Sequence, residues 1–471
     1  MNQNVKELMD SVVKYDYCIG CGICASLKGS PLSMDLNEEG KFRPFYNENA
    51  QAGEMDINAL EVCPFSNEIK DENEIGNQVF NQENKAKFNE YTGYYLKNYA
   101  SYVKDGDYRK KGSSGGMGTW IATQLLKENL VDGIIHVKST NESEGKNTLF
   151  EYQISYSSEE LSKGAKSKYY PIEMSRVIKL VKENEGRYAL IAVPCFIKGM
   201  RLLAQQDEVI KERIKFYIGL VCGHLKSDMF AKSMGWQMGI EPQNLKRIDF
   251  RKKLEGKAAN NYGVEVEGNK NGKHIVTSSP TKDLYTTNWG HGLFKYNACE
   301  FCDDVVGETA DVTVGDAWLP KYTNDSMGTN IVIIRNPIIH ELIEKNKDKL
   351  YLDELSTQEV YQSQSSGFRH RREGLSYRLY LTDLDNKWRP VKRVKPSNDI
   401  SEKRKKVYEK RIVLYQKSFE AYQAALKAGT FNKFVKQMDP IIKDYDKMAG
   451  PSVLRKVLRK VKRGVYLLVK N

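Results

Sequence analysis

Eight cysteines carry the clearest chemistry in this chain, and half of them stand in one recognisable arrangement. Cys18, Cys21 and Cys24 follow C-x2-C-x2-C spacing, with Gly20 and Gly22 between them. Three thiolates so spaced wrap one face of an iron–sulfur cube, and the glycines permit the tight backbone whose N–H groups point at sulfur. Cys63-Pro64 supplies the fourth thiolate, because a Cys-Pro pair is the usual remote ligand in bacterial ferredoxins. Ala25-Ser26-Leu27-Lys28 follow the triple, so this segment is expected to hold one [4Fe–4S] cluster. Zinc is the alternative for four cysteines, although zinc sites usually pair two C-x2-C hooks.

The other four cysteines are Cys195, Cys222, Cys299 and Cys302. Cys299-x2-Cys302 alone is ambiguous between zinc, a redox disulfide and a cluster. Cys195 and Cys222 each stand where an apolar strand-like run ends, and in an open α/β sheet such ends face the functional crevice. Two thiolates from strand ends and two from one loop can close a second [4Fe–4S] site; buried structural thiols are the plainer reading.

A Gly/Ser loop, with Ser113, Ser114, Gly115 and Gly116, opens a helix-like run from Met117 to Glu128. Free N–H groups and the helix dipole suit an anion such as a cofactor diphosphate, and Arg109, Lys110 and Lys111 add positive charge. The loop matches neither G-x-G-x-x-G nor Walker A, so an ordinary loop is the alternative. His224 and His291 are candidate proton donors, Asp316 is a candidate proton-steering carboxylate or loop cap, and His136 reads as a packed core residue. No Ser–His–Asp pattern or H-E-x-x-H supports hydrolysis.

The elements that must position these residues read as α/β, with a mixed, largely parallel sheet. Expected strands are Gly133–Lys138, Tyr152–Tyr156, Tyr188–Val193, Lys215–Val221, Asp311–Val314 and Ile331–Ile334, with a helix at about 174–184. The chain has 471 residues and 40% hydrophobic content, enough for a real core. The expected divisions are a ferredoxin-like segment at 1–65, a polar linker at 66–90, two parts of one α/β domain at 91–190 and 191–350, and a helical basic extension at 351–471. The net charge is +12, yet residues 401–471 hold 19 Lys/Arg against 6 Asp/Glu, so the body is close to neutral. This argues against a nucleic-acid cleft across the core. No secretory signal or spanning stretch is read, so a cytoplasmic protein is expected, with possible attachment to the inner membrane face.

Together these motifs resemble the family of coenzyme F-420 hydrogenase/dehydrogenase beta subunits, which includes 7-hydroxymethyl chlorophyll a reductase. The resemblance rests on the cysteine triple with Cys63-Pro64, Ser114-Gly115-Gly116, Val131-Asp132-Gly133, Ser167-Lys168-Tyr169, Val193-Pro194-Cys195, Gly219–Gly223, Asp249–Lys252, Cys299–Asp303 and Ala310–Trp318, and covers about residues 10–350. It implies an FAD-binding oxidoreductase in which two [4Fe–4S] clusters relay single electrons and the flavin splits a hydride pair. It makes the Gly-rich loop a candidate FAD contact, and Lys168, Arg251 and Lys252 candidate contacts to flavin, deazaflavin or substrate anions. Implied partners are a low-potential donor such as ferredoxin or a reduced deazaflavin, and a small organic substrate. Bacterial chains of this kind resemble members associated with polysaccharide biosynthesis, so the family name does not fix the substrate. The rival reading is a non-catalytic electron-transfer subunit of a larger redox complex. Phe65 departs from the small residue common after the Cys-Pro pair, and the extension beyond about 350 is outside the pattern.

The last segment places Leu454, Val457, Leu458, Val461, Val465 and Leu468 at helical spacing, with Lys456, Arg459, Lys460 and Arg463 on the other faces. Such a basic amphipathic helix suits an anionic membrane surface or a partner. Deleting residues 451–471 is expected to abolish co-flotation with anionic liposomes; undiminished flotation rejects the membrane reading.

Overall fold

The computed structural model describes residues 2–47, 53–81, 85–140 and 148–450. The segment at 451–471 lies outside the described residues. The chain divides into two units, one comprising Met1–Thr287 with Lys295–Asn398 and the other Asn288–Phe294 with Asp399–Asn471.

The first unit is built on an eight-stranded mixed sheet in the order Leu350–Glu354, Lys97–Val103, Asn330–Ile334, Val312–Asp316, Ile214–Leu220, Tyr188–Ala192, Gly133–Ser139 and Phe150–Ser155. Its four central neighbours, from Val312–Asp316 to Gly133–Ser139, run parallel, and antiparallel strands flank them. The central strands are largely apolar, Tyr188–Ala192 throughout, because both faces are covered. Successive residues point to opposite faces. Ile135, Leu190 and Tyr217 join a core with Val5, Leu8, Ile23 and Val62, whereas Ile134, Ala189 and Ile218 join Trp120, Ile121 and Leu125 of the helix Met117–Lys127. The cysteine-rich N-terminal segment is thus packed into one sheet face.

Where the sequence reads a linker at 66–90, the structure has a helix, Glu72–Phe80. Asp71 accepts from the N–H groups of Asn73 and Glu74, and Glu74 closes the capping box. The stretch looks polar because it contributes a buried ion rather than an apolar stripe. Glu72 pairs with Lys198 at 3.0 Å and with Arg393 at 3.3 Å. A three-stranded antiparallel sheet, Leu245–Lys252, Gly263–Lys270 and Lys273–Pro280, also stands outside the sequence reading. Asn271 and Gly272, both at positive φ, make its two-residue hairpin.

The sequence reading divides the chain at 350, whereas the first unit continues to Asn398. The helices Thr357–Ser363, Ser365–Arg371 and Glu373–Leu384 bury Val360, Phe368, Leu375 and Leu379 in its cores. Beyond them an extended strap lays Trp388 on Tyr17, Lys392 over Phe65 and Arg393 against Asp303.

The second unit is an antiparallel helical hairpin, Glu402–Ala428 and Phe431–Ala449, joined through Gly429 in the left-handed region. Phe294 packs among Phe419, Tyr422 and Phe434, and its N–H donates to Ser418 Oγ at 2.9 Å.

Arg393 is the hub of the buried charges in the first unit. It donates to Glu308 at 2.7 and 2.9 Å and also meets Glu72 and Asp303. Removing one partner of a buried pair leaves uncompensated charge. Arg393→Met is therefore expected to lower unfolding stability by about 3–5 kcal/mol in urea titration; a loss of less than ~1 kcal/mol would place these pairs with weak surface bridges.

Candidate functional site

The loop Cys18–Cys24 turns sharply because Gly20 and Gly22 both adopt positive φ, near 70° and 79°. A Cβ on Gly20 would lie 2.6 Å from the Phe42 carbonyl oxygen, so only glycine fits. The Gly20 N–H donates to Cys18 Sγ at 3.3 Å, and the Cys21 carbonyl accepts from Met174 N–H at 2.8 Å. Cys63 reaches the same place from its own turn. Cys18, Cys21, Cys24 and Cys63 line one cavity, with Leu8, Val12, Val62 and Phe65 as apolar walls. Burial pushes the Cys21 and Cys24 thiols well up and Cys63 up to about 12, and neighbouring cysteines add to each shift.

The second quartet is assembled from the carboxyl ends of neighbouring parallel strands. Cys195 follows Tyr188–Ala192 and stands in the first turn of the helix Pro194–Gln206. Cys222 follows Ile214–Leu220. Cys299 and Cys302 flank the end of the single helical turn Asn297–Phe301. Burial raises Cys195, with Cys302, Cys222 and Cys299 adding to the shift; burial likewise pushes Cys222 up to about 12. Cys299 Sγ accepts from Leu225 N–H at 3.2 Å. Cys302 Sγ accepts from Arg371 Nη1 at 3.1 Å, and Arg371 Nη2 caps the carbonyls of Cys222 and Gly223 at 2.8 Å each. Between the two loop cysteines, buried Glu300 is pinned by Lys295, by His370 at 3.1 Å and by Arg378 at 2.9 Å.

The quartets adjoin. Cys21 contributes to the raised Cys195 thiol, and both act on the buried Tyr152 hydroxyl. Tyr17, beside Cys18, packs edge-on against Phe301, beside Cys302, with centroids 4.8 Å apart. Among the described residues no three His, Cys, Asp or Glu side chains are grouped as ligands of a single metal ion.

The Gly-rich loop precedes the helix Met117–Lys127, with Gly116 at φ 84°. A Cβ on Gly115 would meet Ser101 O at 2.6 Å and Asn330 Oδ1 at 2.8 Å. Much of the loop's expected anion-binding capacity is already engaged. Met117 N–H donates to Asn330 Oδ1 at 3.1 Å, Ser113 Oγ accepts from Ser167 N–H at 2.8 Å, and Ser114 Oγ donates to Thr329 O at 3.0 Å. Lys253, absent from the sequence candidates although it ends their basic run, ties the loop down through the carbonyls of Arg109, Ser114 and Met327.

Arg251 joins several of the named residues. Its guanidinium pairs with Asp316 at 3.1 and 3.2 Å, donates to Tyr169 Oη and Ser113 O at 3.2 Å each, and lies 4.2 Å from the Tyr262 ring. Asp316 therefore positions Arg251. Lys252 instead pairs with Glu265 on the neighbouring strand. His224 stands two residues beyond Cys222, and burial, with Lys226 and Lys295 nearby, holds its ring well below the usual imidazole range. His291 belongs to the second unit, where Nε2 meets Asp446 Oδ1 at 3.0 Å and Asn288 at 3.1 Å. His136 is in the core, bonded to Ser155 Oγ at 2.8 Å.

Asp316 and Cys222 share one end of the sheet. Leu220 pairs with Val314 across neighbouring parallel strands, and each residue stands two positions beyond its partner in that pair. The fold and site together define a class: a mixed α/β protein with adjoining thiol quartets and a glycine-rich basic loop on its central sheet.

The family model for the N-terminal part of the coenzyme F420 hydrogenase/dehydrogenase beta subunit matches residues 98–179, and the model for its C-terminal part matches residues 185–359. Together they span more than half of the chain, which belongs to the family of coenzyme F420 hydrogenase/dehydrogenase beta subunits. The second quartet lies within the matched range and the first precedes it. An uncharacterised protein of Methanocaldococcus jannaschii is 27% identical over 240 residues, a match spanning 48% of this chain and only 57% of that protein. A subunit of the F(420)H(2) dehydrogenase of Methanosarcina mazei is 22% identical over 353 residues, spanning 73% of this chain and 86% of that protein. A chain from the F420-reducing [NiFe] hydrogenase complex of Methanosarcina barkeri aligns with TM-score 0.48 and 15% identity, over 64% of this chain and 99% of its own length. Among the described residues no helix is long and apolar enough to cross a membrane.

Lys168, a candidate cation beside the loop, has no carboxylate partner among the described residues. Its Nζ donates to Ala165 O at 3.3 Å, and burial pushes its pKa down to about 8 despite Asp249 nearby. Its positive charge is therefore present below that value and lost as pH rises through about 8, far below the ordinary lysine value of about 10.4. Calorimetric titration with pyrophosphate is expected to show affinity falling through this step, and Lys168→Met to bind more weakly without the step. An identical pH profile in the variant removes Lys168 from the anion site.

Proposed function

We propose that this protein is an iron–sulfur flavoprotein oxidoreductase. Cys18, Cys21, Cys24 and Cys63 hold one [4Fe–4S] cluster, and Cys195, Cys222, Cys299 and Cys302 hold a second. The observation that carries this reading is the pair of adjoining thiol quartets, with Cys21 and Cys299 buried and the others partly buried. Buried thiols raise one another's pKa, and a bound metal centre reverses that cost because coordinating thiols are deprotonated outright. The first quartet lines a cavity, which suits a multi-atom cluster, and N–H donors to sulfur in both quartets suit thiolate ligands.

The Gly-rich loop, Ser167-Lys168-Tyr169 and Arg251 would face FAD, with Lys168 supplying positive charge for a diphosphate. FAD, when bound, exchanges a hydride pair with an organic partner and single electrons with the clusters. Arg251 and Asp316 hold the loop against the strand end, and Lys253 fixes its carbonyls. The partner oxidised or reduced is a deazaflavin of the F420 type or another small organic molecule. A ferredoxin-like protein is a suitable one-electron partner.

A second reading is favoured by the Methanosarcina mazei relative, which is a subunit of a dehydrogenase. In that reading the chain serves as the electron-transfer subunit of a larger complex, and turnover by the isolated chain would reject it.

Anaerobic purification is expected to yield about eight iron and eight sulfide per chain, as two four-iron cubanes require, with about one flavin. Cys63→Ser should lose iron from the first site while leaving the second loaded. A total of four iron in the unaltered protein removes one cluster, and zinc without sulfide removes the reading altogether.

A further inference from the structure

Arg371 ends the helix Ser365–Arg371 and is 2% exposed. Its guanidinium donates to Cys302 Sγ and to the carbonyls of Cys222, Gly223 and Asp304. It touches no carboxylate among the described residues. The acids around it are otherwise engaged. Glu300 is paired with Lys295, His370 and Arg378, Asp303 and Glu308 meet Arg393, and the Asp304 carboxylate accepts from the N–H groups of Val306, Gly307 and Glu308. A buried cation without a counter-ion is strongly unfavourable. The group able to balance Arg371 is the one held by the second quartet. The first quartet has a different arrangement. Arg43 donates to the Cys18 carbonyl at 2.5 Å while paired with Asp16, and Lys392 lies over Phe65 at 4.3 Å from the ring centre.

We propose that Arg371 raises the reduction potential of the second cysteine site above that of the first and so directs electrons from the first to the second. The inference rests on the two-cluster reading. One electron leaves the first site as the second gains it, no bond is made or broken, and no proton is needed. The added negative charge arrives beside a fixed positive one, and net charge and hydrogen bonds to sulfur are among the factors that set cluster potentials. Arg371 is a positioning and charge-balancing residue.

The test is an EPR-monitored redox titration of the anaerobic holoprotein, with iron and sulfide measured in each sample and the two signals assigned by Cys63→Ser and Cys302→Ser. The second site should titrate at the higher potential. Arg371→Gln should lower that potential by at least tenfold in its reduction equilibrium, about 59 mV for one electron, without moving the first; Arg371→Lys should retain most of it. A higher potential at the first site in the unaltered protein overturns the proposal, whatever the variants do. Unmoved potentials in Arg371→Gln with full iron also overturn it while leaving the two-cluster reading intact. Fewer than eight iron in the unaltered protein overturns that reading and this inference together.

Discussion

Thiols packed together raise one another's pKa, as at Cys24 and Cys195, and this protein sets two quartets of cysteines side by side. Much of the surrounding architecture follows from that constraint. The quartets need short, rigid backbone that can bring N–H groups and fixed cations to sulfur. The first uses a loop whose glycines allow positive φ, closed from outside by a cysteine in its own turn. The second uses the ends of two parallel strands and one helical turn. The sheet thereby becomes the frame that sets where its cysteines stand.

The charged residues around the quartets fall into two groups with different jobs. Glu72, Asp303 and Glu308 are balanced by Lys198 and Arg393, which ties the helix Glu72–Phe80, the helix Pro194–Gln206, the Cys299–Cys302 loop and the C-terminal strap into one network. Burial alone would push the Asp303 carboxyl up, yet Arg393, Lys392 and Lys198 hold it below the usual carboxylate range. Asp304, whose carboxylate meets backbone N–H groups instead, is pushed up to about 7 by burial and by Glu308 and Glu72. Ion pairing therefore fixes which of these neighbouring acids keeps its charge. Arg371 lies outside this balance because its nearest acceptors are sulfur and carbonyl oxygen.

The central strands were legible because burial on both faces makes them largely apolar runs. The cysteines were legible because few other residues offer that chemistry. Residues held by partners distant in the chain were not. Arg371, Arg393 and Lys253 sit in polar or basic stretches that resemble a solvated surface, and their partners lie 69, 85 and 139 residues away in the chain. For the same reason the helix bearing Glu72 reads as a linker: its defining residue is a buried ion. The Asn271-Gly272 hairpin did carry a local signal, since both residues favour the positive φ that a two-residue turn requires. His291, a candidate proton donor on the sequence, belongs to the second unit beside Asp446.

The placement of the glycine-rich loop follows from the same sheet. Asp316 and Cys222 leave neighbouring parallel strands at the same level, so an acid that orients Arg251 and a cysteine of the second quartet are set by one strand pairing. Arg251 then reaches the Ser113 carbonyl and the Tyr169 hydroxyl. A displacement of the strand Val312–Asp316 would act on the loop through Asp316 and on the second quartet through its pairing with Ile214–Leu220. The antiparallel neighbour Asn330–Ile334 restrains that strand from its other side, and Asn330 also accepts from the first N–H of the helix Met117–Lys127. One strand pair therefore registers the glycine-rich loop against the thiol site: backbone pairing sets Asp316 level with Cys222, and the Arg251 side chain carries that level to the loop.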